Sequence, residues 1–143
     1  GDQRVVEYLL PDAAAAGQTE IQTVEVEGPF DFGAAVLQSY RLAEDPTGGV
    51  RLLLRWERID DPNLRYSVQA LGPSGVLAQV DGRPGAAVGA TSSAEPAEDR
   101  IGLSLPVGVD QWILKLYRAE DGSVLPVTLP DQSAAEILLL ERP

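Results

Sequence analysis

The chain has 143 residues and a formal charge of −11 at neutral pH, and it contains no cysteine and no histidine. This negative charge repels nucleic acid and anionic membrane surfaces, so we expect neither as a partner. Without thiols or imidazoles, the chain lacks disulfides, the commonest nucleophiles and bases of enzymes, and the usual zinc ligands.

The length suits one domain with its own hydrophobic core. No apolar stretch reaches the roughly 18 residues that cross a bilayer, and the first residues lack the layout of a signal peptide. We therefore expect no insertion of this segment into a membrane. Because the chain contains no methionine, we interpret residues 1–143 as a single domain that is a fragment of a larger protein.

The first predicted elements are short. A strand is expected at 4–10, RVVEYLL, and a helical turn or two at 12–18, DAAAAGQ, where the alanines favour helix. Two further strands are predicted at 20–28 and 34–42. Both segments combine β-branched or aromatic residues with alternating polar ones.

The clearest strand signal is 50–57, VRLLLRWE, where one face is wholly apolar and the other carries both arginines. A period of two residues indicates a strand with one buried face. The same alternation marks LRYSVQAL, RIGLSL and QWILKLYR, whereas VLAQV, SVLPV and AEILLLE are weaker strand candidates. These six segments lie at 64–71, 100–105, 111–118, 76–80, 123–127 and 135–141.

Short turn signals such as EDPTGG, DDPN, GPSG and DGRPG separate these strands. Many short strands with such turns and almost no helix predict an all-β fold, an antiparallel β-sandwich of about eight to ten strands. The alternation fits an immunoglobulin-like or a jelly-roll topology equally well. The segment from Gly82 to about Asp99 is predicted to be an irregular crossover between the sheets.

The segment YRAEDGSVLPV at 117–127 can be interpreted as an acidic active-site loop or as a β-hairpin. Asp121 followed by Gly122 supplies the backbone conformations that a hairpin turn requires. We therefore predict a structural turn at this position.

Three pairs of adjacent carboxylates are the candidates for acid–base chemistry: Asp60 and Asp61, Glu98 and Asp99, and Glu120 and Asp121. Neighbours on a strand point to opposite faces, and a catalytic carboxylate needs an apolar pocket to raise its pKa. All three pairs are expected in polar turns, so we predict that the domain is not an enzyme. The acidic loops at 44–49 and 59–63 lack the spacing of a calcium loop, and we predict no metal site and no cofactor.

The aromatic residues fall into two groups by their phase. Trp56, Tyr66 and Trp112 alternate in phase with aliphatic neighbours, which predicts that they pack in the core. Tyr117 lies on the other phase of its strand, with Ile113 and Lys115. Exposed aromatic rings are how many β-sandwiches bind sugars, so Tyr117 is the candidate ligand-binding residue.

Several motifs appear in the order LLLRWE, LRYSVQAL, GPSGVLAQVDGRP, GATSSAEPAEDRIGLSLP and DQWILKLYRAEDGSVLPV. This order resembles the C-terminal β-sandwich region of bacterial membrane glycosyltransferases of the dolichyl-phosphate-mannose mannosyltransferase type. In that family an aromatic residue stands near the place of Ser93 or Ala94, and a Tyr stands at the place of Trp112. The resemblance implies an extracytoplasmic domain tethered through membrane helices outside this segment, and it transfers no catalytic residue.

These observations leave two hypotheses. The first is a non-catalytic extracytoplasmic accessory domain of a glycosyltransferase-like membrane protein that recognises carbohydrate or glycolipid. The alternative is a structural or protein-docking module, with a membrane protein as its partner and no small-molecule ligand. A concave face carrying Tyr117 among polar neighbours favours the first, and an unpaired hydrophobic strand at 136–140 favours the second.

Overall fold

Our computed structural model describes residues 21–47, 49–85 and 97–143, and in them it has strands and turns but no helix. Two antiparallel sheets, one of six strands and one of five, enclose a single hydrophobic core. The predicted all-β sandwich is therefore confirmed. The predicted strand at 4–10 and the helical turn at 12–18 lie outside the described residues.

The described strands comprise six long elements, one of seven residues and four short ones near the C-terminus. They are β1 (Gln22–Asp31), β2 (Ala35–Asp45), β3 (Gly49–Ile59), β4 (Leu64–Gly72), β5 (Gly75–Gly82), β6 (Ala97–Leu103), β7 (Gln111–Arg118), β8 (Val124–Leu125), β9 (Val127–Thr128), β10 (Ala134–Ala135) and β11 (Leu138–Leu140). The first sheet has the order β10-β9-β1-β2-β3-β6. The second has the order β11-β7-β4-β5, with β8 paired to β7.

The sequence patterns locate every long strand, but the two C-terminal patterns each divide. Predicted strand 123–127 becomes β8 in the second sheet and β9 in the first, with Pro126 between them. Proline has no N–H to donate to a ladder, so pairing stops there and the chain passes to the other sheet. Predicted strand 135–141 also divides, into β10 in the first sheet and β11 in the second. The described strands therefore number eleven, against the eight to ten that were predicted.

The core is built from the apolar phases of both sheets. Trp56 and Trp112 are fully buried and Tyr66 is 8% exposed, as predicted. Phe32 packs against Trp56 with ring centroids 6.4 Å apart, in a tilted arrangement that aromatic pairs favour. Burying each large side chain contributes about 2 kcal/mol to folding. This core fixes which phase of each strand faces outward.

The predicted crossover does run between sheets, because β5 belongs to the second sheet and β6 to the first. Its C-terminal boundary was placed too late. Strand β6 begins at Ala97, so Glu98 and Asp99 are strand residues, paired with Arg55 and Leu54 of β3. In the parts of the chain that the structure describes, no helix has the length and apolar character of a membrane span.

Candidate ligand-binding cleft

The three carboxylate pairs do not form a common site. Asp61 Oδ1 accepts a hydrogen bond from Asn63 N at 2.9 Å, and Asp60 pairs with Arg58 near the end of β3. Glu98 instead lies in β6, with its oxygens 3.1 Å from Arg55 Nε and 3.5 Å from Arg100 Nη2. The prediction that all three pairs occupy polar turns is therefore wrong for Glu98 and Asp99.

Asp99 is a buried carboxylate with a structural task. It is 4% exposed, and its Oδ2 accepts hydrogen bonds from Trp56 Nε1 at 2.8 Å and from Gly85 N at 2.7 Å. A buried indole N–H needs such an acceptor. Burial, and then the charges of Asp99 and Asp81, raise the pKa of the Tyr66 hydroxyl. Asp99 thus connects the core tryptophan of β3 to the segment that follows β5.

The acidic loop at 118–123 is a turn, as predicted. Arg118 N donates to Ser123 O at 2.9 Å, and Gly122 has the positive φ of 74° that the reversal requires. Asp121 Oδ1 accepts from Ser123 N and from its hydroxyl, and these bonds lower the pKa of Asp121. Its carboxylate is therefore committed to holding the turn.

Several aspartates repeat this arrangement, in which Oδ1 accepts from the backbone N two residues later. Such bonds at 2.7–2.9 Å occur at Asp31, Asp45, Asp61, Asp121 and Asp131. Short acidic side chains stabilise turns in this way. Among the residues that the structure describes, no three acidic side chains converge in a geometry that would hold a metal ion.

Tyr117 lies in an open cleft of about 240 Å³ on the outer face of the second sheet. It is half-buried, and it is the only described aromatic residue whose side chain is not buried. Strands β4, β5 and β7 and the hairpin after β7 supply the cleft, which is lined by Ser67, Gln79, Asp81, Lys115, Tyr117, Gly122 and Val124. The sheet thus surrounds one accessible ring with polar groups.

The carboxylate of Asp81 organises this cleft. Its Oδ2 accepts a hydrogen bond from the Tyr117 hydroxyl at 2.8 Å. Its Oδ1 accepts from Ser67 Oγ and from Gln79 Nε2, both at 2.9 Å. Gln69 Nε2 donates to Ser67 Oγ at 3.2 Å and extends the network inward. Three strands are therefore connected through one acceptor, and the Tyr117 side chain is held at both ends.

The pKa shifts follow from this network. Partial burial opposes ionisation of Asp81, but hydrogen bonds from Gln79, Tyr117 and Ser67 and the charge of Lys115 together lower its pKa. The pKa of Tyr117 is raised, chiefly because its hydroxyl donates to the Asp81 carboxylate. At neutral pH the cleft therefore holds an ionised Asp81 and a neutral Tyr117.

The sequence placed Tyr117 on the outward phase but did not identify its partners. Ser67 and Lys115 share the outward phases of their strands, and this was visible from the alternation. Alternation within each strand does not reveal the sheet order β7-β4-β5. This order places Lys115, Ser67 and Asp81 in one cross-strand row. The cleft depends on that order.

No protein-family model, curated protein or solved structure matches this chain.

Proposed function

We propose that this domain is a non-catalytic recognition module that binds carbohydrate or a glycolipid headgroup in the cleft around Tyr117. One observation carries the proposal: the single described aromatic ring that is not buried lines a polar cleft, among side chains that can form hydrogen bonds. A pyranose ring has apolar C–H faces and a rim of hydroxyls. A ring with polar neighbours complements both parts of it.

The hydrogen bond between Tyr117 and Asp81 adds to this argument. Because the hydroxyl is fixed at 2.8 Å from the carboxylate, the ring is positioned before any ligand arrives. A side chain that is already ordered loses little conformational entropy on binding. The cleft is therefore preorganised.

The proposed context comes from the resemblance to the C-terminal region of membrane glycosyltransferases. The all-β sandwich agrees with the fold that this resemblance implied. In this proposal the domain lies outside the cytoplasm and is tethered through membrane helices beyond this segment. It would present sugar or glycolipid to a catalytic part that it does not contain.

The docking alternative keeps part of the feature expected to support it. A hydrophobic edge strand at 136–140 that is left unpaired was expected to favour docking. Leu138, Leu139 and Leu140 of β11 pair with Leu114, Ile113 and Trp112 of β7. In the order of the second sheet, however, β11 is an edge strand, with a neighbour on one side only among the described strands. Docking through this edge is therefore the second candidate function, and it becomes the favoured one if no sugar binds.

The test is a broad glycan array probed with the purified chain and then with Tyr117→Ala. Leu139→Ala is the matched control, because Leu139 is 55% exposed on the same outer face but does not line the cleft. We expect selective binding by the parent chain and by the Leu139 variant, with at least about a tenfold loss for Tyr117→Ala, equivalent to about 1.4 kcal/mol.

Tyr117→Phe separates the contribution of the aromatic ring to binding from that of the hydroxyl group. If the ring face carries the contact, the Phe variant should keep most of the affinity that the Ala variant loses. A blank array with a chain that is well folded by circular dichroism would reject carbohydrate recognition and move the assignment to protein docking.

A further inference from the structure

The cleft is unusual for this chain in its balance of charge. The whole chain has 22 acidic and 11 basic residues. At the cleft, Asp81 is the only acidic lining residue and Lys115 the only basic one. Arg65 is the cross-strand neighbour of Tyr117, and its charge acts on the Tyr117 hydroxyl. On a strongly acidic molecule, one cation therefore lines the cleft together with its single carboxylate, and a second cation adjoins Tyr117.

The Asp81 carboxylate already has its hydrogen-bond partners. Its oxygens accept from Ser67, Gln79 and Tyr117, all neutral donors. A carboxylate has about four acceptor sites, so three of them are filled without any contribution from the ammonium of Lys115. Asp81 has little capacity left for the hydroxyls of a ligand.

Lys115, unlike Asp81, has unused hydrogen-bonding capacity. It is half-buried, and it makes no hydrogen bond or salt bridge with any residue that the structure describes. An ammonium group has three donors. The Tyr117 hydroxyl and one Gln79 amide N–H already donate to Asp81, whereas none of the three Lys115 donors is used by a described residue.

We infer that the ligand of this cleft carries an anionic group, the carboxylate of a uronic acid or the phosphate of a phosphorylated sugar, and that Lys115 binds it while Tyr117 contacts the sugar ring. The inference rests on the proposed carbohydrate recognition. It narrows the ligand class from sugars in general to acidic sugars. Carboxylate and phosphate share the chemistry that an ammonium recognises, a charge-assisted hydrogen bond.

The test compares ligands that differ only in charge. One pair is polygalacturonate and its fully methyl-esterified form, and the other is a glycan ending in mannose 6-phosphate and the same glycan after phosphatase treatment. Affinities would be measured by calorimetry in low and high salt. We expect one charged member to bind at least about tenfold more tightly than its neutral counterpart, with the difference shrinking as salt rises.

Three variants test whether Lys115 causes the preference for the charged ligand. Lys115→Gln should reduce the charged ligand to the affinity of the neutral one, and Lys115→Arg should restore most of the preference. Arg51→Gln removes the same charge from an exposed position on the other sheet and should change nothing.

The outcomes separate this inference from the proposed function. Equal binding of charged and neutral glycans, both lost in Tyr117→Ala, would overturn the acidic ligand and leave carbohydrate recognition standing. A preference for charge that survives Lys115→Gln would also overturn the inference. No binding of any of the four probes, together with a blank array, would reject both. Preference within only one pair would identify the group as carboxylate or as phosphate.

Discussion

Glu44 fastens the C-terminal segment to the body of the sandwich, and its removal should destabilise the fold. Both carboxylate oxygens accept from Arg142, Oε1 from Nη2 at 2.7 Å and Oε2 from Nε at 2.8 Å. Trp112 Nε1 donates to the same Oε2 at 3.0 Å. The third Arg142 nitrogen, Nη1, donates to Val109 O at 2.8 Å. One carboxylate thus joins β2, the core tryptophan of β7 and the chain after β11.

The magnitude follows from what each partner loses. In Glu44→Ala the N–H of the fully buried Trp112 has no acceptor, which costs about 1–3 kcal/mol. The bidentate contact adds less than a buried pair would, because the Arg142 side chain is 34% exposed. We expect a total loss of about 2–3 kcal/mol for Glu44→Ala and about 1 kcal/mol for Glu44→Gln, which retains an acceptor oxygen.

Urea denaturation followed by tryptophan fluorescence measures these losses, since Trp112 itself reports on the site. In thermal unfolding, each kcal/mol should lower the midpoint by about 4 °C for a chain of this size. Glu27→Gln is the control, because Glu27 is an exposed acid on β1 for which the structure shows no ion pair with a described residue. Arg142→Met should cost about 1 kcal/mol and should add less than its full effect to Glu44→Ala, since the two side chains share one interaction.

The same contact predicts a dependence on pH. The hydrogen bond from Arg142 is the main reason that the pKa of Glu44 is lowered below its ordinary value of 4.5. A lowered pKa in the folded state means that the stabilisation is complete above pH 4.5 and is lost as pH falls through the folded pKa. The stability gap between the parent chain and Glu44→Gln should be largest near pH 7 and should close in acid. Equal stability at pH 7, or a gap that stays constant into acid, would refute the reasoning.

Two further predictions concern stability alone. Asp99→Ala leaves the buried indole N–H of Trp56 unpaired and should cost about 3 kcal/mol in urea denaturation, whereas Glu57→Ala at the exposed neighbouring position should be nearly neutral. Gly49→Ala should destabilise strongly, because Gly49 has a φ of 110° and an added Cβ would lie 2.5 Å from a carbonyl oxygen of β6. Gly102→Ala, where a Cβ meets open space, should lose less than about 1 kcal/mol and is the matched control. Equal losses within either pair would contradict the structural argument.

The sequence correctly predicted those features that depend on the residues of a single strand. Strand 111–118 has the predicted bounds, and the phase of Trp112 correctly predicted its burial. Both follow from local alternation, which any half-buried strand must satisfy. The break in pairing at Pro126 could have been predicted, since proline interrupts a hydrogen-bond ladder. The sheet that each half of this segment joins could not be predicted, because it depends on strands far away along the chain.

Asp99 shows why one boundary was missed. An aspartate beside a glutamate and a proline-containing segment is typical of a turn, and no local signal indicates that it is buried in a strand. Asp99 can be buried because its carboxylate accepts a hydrogen bond from the indole N–H of Trp56, which lies 43 residues earlier in the chain. A buried polar pair of this kind becomes visible only when the register between β3 and β6 is known.

Several of the acidic residues have structural partners in the fold. Five aspartates hold turns, Asp99 serves a core tryptophan, and Glu44 fastens the C-terminal segment. Each of these seven carboxylates accepts hydrogen bonds from donors in the described structure, and the remaining acids contribute to the net charge of −11. The cleft on the second sheet differs because a cation, Lys115, has no hydrogen-bonding partner in the described structure and lies beside the half-buried ring of Tyr117. On a molecule with twice as many acids as bases, the ammonium of Lys115 gives a ligand bearing negative charge an attractive contact inside this cleft.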